Sequence, residues 1–155
     1  MSNSVTVRVI KLEDHFSAVI GQVSGETLVK AAKAGGHVVE AYAKINVNSV
    51  FSSKSTGGAG LGGSIQVVIA KADSNSAEVD VGPTVIYGRI QELGGIIKPV
   101  HAKMLSWVNE AGERIFANLV HIPPRPYLRP ALDEHMEEVT QAMGYQLKKG
   151  IESVT

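Results

Sequence analysis

The sequence predicts an α+β domain: an antiparallel sheet built from two hairpins and an N-terminal strand, packed against a long helix in the N-terminal half and a second helix at the C-terminus. Three observations carry this. Short runs alternate apolar and polar residues and come in pairs separated by turn residues, the pattern of hairpins. Two longer segments repeat apolar residues at spacings of three and four, the period of an amphipathic helix. The resulting order of strand, helix, hairpin, short helix, hairpin, helix makes antiparallel sheet and leaves two helices to cover one face of it.

Val5, Val7 and Val9 alternate with Thr6 and Arg8 and predict the first strand. The stretch from Leu12 to Val23 is mixed and compatible with a short helix. From Glu26 the period changes: Leu28, Ala31, Ala32, Gly35, Val38, Val39, Tyr42 and Ile45 predict a helix ending near Asn46, with Ser24 as its N-cap. Gly35-Gly36 inside it costs about 1 kcal/mol per glycine against alanine. Such a pair is tolerated where another backbone comes close or where the helix kinks.

Residues 52–63, SSKSTGGAGLGG, predict a flexible Gly/Ser-rich loop. Ser64–Lys71 and Ala77–Val81 then predict a hairpin. Thr84–Leu93 predicts a short helix with Val85, Ile86, Ile90 and Leu93 inward, stopped by Gly94-Gly95. Met104–Val108 and Arg114–Val120 predict a second hairpin, with Trp107 and Phe116 as large core residues. PPRPYLRP is a stiff extended connector, since proline fixes φ and extends its predecessor. Pro130 suits the first turn of the last helix, whose stripe is Leu132, Met136, Val139, Met143 and Leu147, and residues 150–155 are expected to fray. With no internal repeat and no composition break, residues 1–155 are expected to form a single domain.

Composition narrows the function. The chain has no cysteine, which removes disulfides, thiolate nucleophiles and Cys-ligated zinc. Fifteen basic residues balance fifteen acidic ones, so there is no electrostatic drive to bind nucleic acid, and no net charge opposes self-association. No apolar run reaches transmembrane length, and the first fifteen residues lack a secretory pattern.

Gly58-Ala59-Gly60-Leu61-Gly62-Gly63 spells a dinucleotide-loop pattern, but that chemistry needs a strand before it and a helix after it, and a strand-like run follows. His37 and Glu40 have helical spacing for a shared metal but lack a third partner in sequence, and a surface pair explains them. No serine sits in a nucleophile elbow, and the acidic pairs of the last helix suit its dipole. No catalytic constellation, cofactor site or metal site is therefore expected.

Two segments stand out. One runs Tyr87-Gly88-Arg89-Ile90-Gln91-Glu92-Leu93-Gly94-Gly95, the other Pro123 to Leu132. Arg125 and Arg129 project from the stiff connector, and Glu92 is a candidate carboxylate partner within the chain or across an interface. Arg and Tyr are also the residue types enriched at interface cores.

At these segments the chain resembles the neck and tail-completion proteins of tailed bacteriophages. The resemblance rests on Tyr87, Glu92 and Gly94 as a Tyr-x-x-x-x-Glu-x-Gly element, and on Pro124 to Ala131 as a Pro-x-Arg-Pro-aromatic-Leu-x-Pro-Ala element with Tyr127 in the aromatic place. Lys103 to Trp107 and the Gly-rich tract leading into Ser64-Ile65 fit as well, over about residues 26–145. A related group, the virion morphogenesis proteins of contractile-tailed phages, shares the Glu-x-Gly and Pro-x-Arg-Pro elements.

The resemblance implies a structural virion protein, made in the host cytoplasm, that forms a homo-oligomeric ring at the head–tail junction or tail end, with a hexamer favoured. It implies no catalytic residues or cofactor and no membrane. Its partners would be head-connector or closure proteins and tail-tube or terminator proteins, and contact with DNA in passage is compatible with it. The residues expected to anchor the fold or meet a neighbouring subunit are Tyr87, Arg89, Glu92, Arg125, Tyr127, Arg129, Gly58, Gly60 and Leu61. The last helix and the Arg125–Arg129 connector are expected to stay with the fold, while the Gly-rich tract and an exposed hairpin reach the neighbour. The competing readings are a hydrolase or transferase with an unrecognised polar site and a DNA-channel binding module.

Overall fold

Helix α1 (Gly25–Val50) is the axis of the structure, a computed structural model that describes residues 7–9, 25–51, 56–109 and 111–153. One long stripe of α1 is buried, from Leu28 through Ala31, Ala32, Val39 and Ala43 to Val47. It packs on the C-terminal helix α5 (Met136–Glu152) on one side and on the sheet on the other. The two glycines explain how a helix fits between two layers. A methyl on Gly35 would lie 2.8 Å from Met143 Cγ on α5, and one on Gly36 would lie 2.8 Å from Val67 Cγ1 on the sheet. The close neighbours are thus side chains of two different layers rather than another backbone. The helix runs past the expected end at Asn46, while Ser24 and the Leu12–Val23 stretch lie outside the described residues.

The main sheet is three-stranded and antiparallel, in the order β1 (Val7–Val9), β3 (Ala77–Pro83), β2 (Ile65–Ala72). Central β3 buries Val79 and Val81, which face Val9 and Val7 in one register and Ile69 and Val67 in the other. The β2–β3 turn is closed by Asp73, whose Oδ1 accepts the N–H groups of Asn75 (2.9 Å) and Ser76 (2.7 Å) and whose Oδ2 accepts the Ser76 hydroxyl (2.8 Å). A bulge follows Ile69, and Ile69 itself is exposed.

The α+β class holds, and several elements differ in detail from the sequence reading. The Gly-rich tract is a helix, α2 (Thr56–Ser64), packed on α1 with Leu61 buried, rather than a loop through residue 63. Glycine's intrinsic penalty is overcome because packing against α1 fixes the segment. The short helix α3 is confined to Gly88–Leu93, and it turns Gly88 and Glu92 inward, leaving Ile86 and Leu93 exposed.

The second hairpin, β5 (Leu105–Val108) with β6 (Arg114–Ala117), forms a two-stranded sheet of its own and packs chiefly on itself. Trp107 and Phe116 are therefore exposed rather than core. The chain then changes partner: β7 (Val120–Ile122) pairs with β4 (Gly95–Ile97), a strand the sequence pattern did not predict.

The expected last helix is divided into α4 (Leu128–Asp133) and α5, with His135 held in a non-helical conformation between them. The His135 ring stacks on Tyr42 of α1 with centroids 3.3 Å apart, and Glu138 accepts from the Tyr42 hydroxyl at 2.8 Å. Val139 and Met143 are buried, Leu132 and Leu147 are half-buried, and Met136 is exposed. Residues 150–152, expected to fray, continue α5, with Gly150 seated against Thr27. Among the described residues no helix is long and apolar enough to cross a membrane.

Candidate functional site

The two segments singled out in the sequence, thirty-odd residues apart, are the two halves of one joint. Glu92 lies on the inward face of α3 and is only 5% exposed. Its Oε2 accepts the main-chain N–H of Tyr127 at 2.7 Å and of Leu128 at 2.9 Å, and its Oε1 accepts that of Arg129 at 3.1 Å.

These donors open α4, where a helix leaves its first N–H groups without intrahelical partners. Tyr127 at the N-cap supplies no side-chain cap, and Pro130, next in line, has no N–H to satisfy. One carboxylate from another helix thus caps α4 and places a negative charge at the positive end of its dipole. Glu92 takes its described hydrogen bonds from the main chain, so the expected pairing with Arg125 or Arg129 is replaced by amide capping. Both guanidinium side chains stay exposed.

Tyr127 plugs the joint. Fully buried, it donates its hydroxyl to the Gly88 carbonyl at 3.2 Å. Burial, and then the nearby Glu92 charge, push its phenol well above the usual tyrosine range. A side chain at Gly88 would collide with Pro83 and crowd the Tyr127 hydroxyl. The connector is also stitched by the Arg125 N–H to the Gln91 carbonyl (2.8 Å), and Asn46 of α1 donates to the Tyr127 carbonyl (3.0 Å). Gly94 ends α3 at φ +70°, where a Cβ would press on Pro124 N at 2.8 Å.

Of the residues named from sequence, Glu92 and Tyr127 meet directly, and Arg129 contributes its N–H. Tyr87 reaches elsewhere: a methyl on Gly60 of α2 would lie 2.8 Å from its hydroxyl. Gly58 and Leu61 lie in α2, and Leu61 is buried. The Arg125 guanidinium sits 5.4 Å over the Phe51 ring. Asn46 and Gln91 join the site without having been singled out; an Asn late in a helix and a Gln inside one carry no distinguishing sequence signal.

Beside the joint the surface is apolar. Ile86 (85% exposed), Ile90, Leu93 (51%) and Ile96 line an open groove of about 300 Å³ with Arg89 at its edge. The β5–β6 arm, inserted between β4 and β7, carries Trp107 (42% exposed) and Phe116 (57%). Among the described residues no group of three or more His, Asp or Glu is placed to hold a metal, and both Glu40 carboxylate oxygens are taken, by His37 and Lys44.

The family described as "Bacteriophage HK97-gp10, putative tail-component" matches residues 10–94, over half of the chain. The chain belongs to this phage tail-component family. The match covers α1, the main hairpin and α3 through Gly94, so the Glu92 half of the joint lies inside it and the Pro124–Ala131 half beyond it. No curated protein and no solved structure matches the chain. Membership makes this a bacteriophage tail component, and the family implies a structural role.

Proposed function

We propose that this phage tail component is an assembly protein that completes the tail or neck, forming a homo-oligomeric ring at the head–tail junction or tail terminus and meeting the head-connector and tail-tube proteins there. The observation that supports it most is the β5–β6 arm, a two-stranded hairpin with Trp107 and Phe116 exposed and little but itself to pack on. An isolated hairpin is marginal in water, and the apolar face on which Trp107 lies with Leu105, Ile115 and Ala117 marks a protein–protein contact. Zero formal charge at neutral pH removes the repulsion that keeps monomers apart.

A ring further requires two different faces per subunit. The Glu92–Tyr127 joint serves this by rigidity, since it ties α3, the connector and α4 into one frame from which the arm projects. Mass measurement and imaging of the purified protein test the reading: closed rings of uniform subunit number are expected. A monomer at every concentration, together with normal infectious particles from phage lacking the gene, would end it.

A further inference from the structure

We infer that the β5–β6 arm of one subunit seats in the Ile86–Leu93–Ile96 groove of the next copy, with Trp107 as the anchor. The inference rests on the ring reading and names the two faces that would close it. Trp107 stands opposite Ile115 in the arm's register, on the same side as Leu105 and Ala117, so one face of the hairpin is apolar along its length. The groove, on α3 and β4, is apolar and open, with room for an indole ring.

Charge orients the pair. The arm's turn ends on exposed Glu113, while the groove is lined by Arg89, with exposed Lys98 just past β4. Among the described residues neither Arg89 nor Lys98 makes an ion pair. A carboxylate at the tip of one element and a basic rim on the other are complementary across an arm-to-groove contact. Arm and groove are different surfaces of one subunit, which is the heterologous geometry that closes a ring. Large aromatic side chains in desolvated pockets also dominate such interfaces.

The absence of native cysteine makes the test direct. Two single-cysteine variants, Ile115→Cys on the arm and Leu93→Cys in the groove, are mixed and treated with a short bismaleimide. Cross-linked dimer is expected in the mixture at roughly ten times the yield of either variant alone. Trp107→Glu should convert the oligomer to monomer with an unchanged far-ultraviolet circular dichroism spectrum, since Trp107 lies outside the core. Oligomers of unchanged mass in Trp107→Glu, or Ile115→Cys cross-linking to itself as well as to the groove, would overturn the arm–groove contact and leave the ring standing. A parent protein that is monomeric throughout, together with normal infectious particles from phage lacking the gene, would overturn both.

Discussion

Removing the buried Glu92 carboxylate should be strongly destabilising, because three main-chain donors depend on it. In Glu92→Ala the N–H groups of Tyr127 and Leu128, both buried residues, lose their partner with no water to replace it. Each orphaned buried donor costs about 1–3 kcal/mol, while the N–H of Arg129, an exposed residue, recovers water. The two buried donors and the lost charge–dipole attraction together place the loss at about 3–5 kcal/mol. That is a large share of the ~5–15 kcal/mol by which a domain is stable, so this variant sits close to the folding threshold.

Glu92→Gln keeps the shape and one acceptor oxygen. It can still serve Tyr127 and Leu128 while its amide faces the Arg129 N–H, and the loss falls to about 1–2 kcal/mol. Urea unfolding followed by far-ultraviolet circular dichroism reads both, and the glutamine midpoint should drop by roughly 1 M. If Glu92→Ala loses less than about 1 kcal/mol, the carboxylate does not hold α4 and the account of the joint is wrong.

Gly36→Ala should destabilise by up to about 2 kcal/mol, since overpacking against the stiff Val67 and Val79 outweighs the helix-propensity gain of about 1 kcal/mol. Gly35→Ala should be near neutral, because the flexible Met143 can withdraw; thermal melts that rank the two the other way would refute this. Tyr127→Phe should lose about 1 kcal/mol by removing the hydroxyl's bond to the Gly88 carbonyl, with the urea slope unchanged. The Asp73 carboxyl, held at about 2 first by the Asn75 N–H and then by Ser76, has a folded value below its ordinary 3.8. Its stabilisation is therefore present above 3.8 and lost as the pH falls toward about 2. Melting temperature across that window should fall less steeply in Asp73→Asn than in the parent; equal slopes would show that the turn does not depend on the charge.

Periodicity in the chain determined the α+β class, helix α1, the β2–β3 hairpin and the stripe around Val139 and Met143, because those elements bury one face and a buried face must repeat at the period of its backbone. The same logic failed where burial is one-sided in a way that local pattern does not encode. Trp107, Phe116, Ile86 and Leu93 read as core because they are apolar, yet they project from a small two-stranded sheet, a turn and a short helix with no described layer above them. The Gly-rich tract read as a loop because intrinsic propensity says so, and only its contact with α1 makes it α2. Order and spacing marked Tyr87, Glu92 and Tyr127 as conspicuous. What only the tertiary structure decided is that Glu92 caps a helix thirty-odd residues away, because a main-chain N–H leaves no trace in the identity of the residue that bears it.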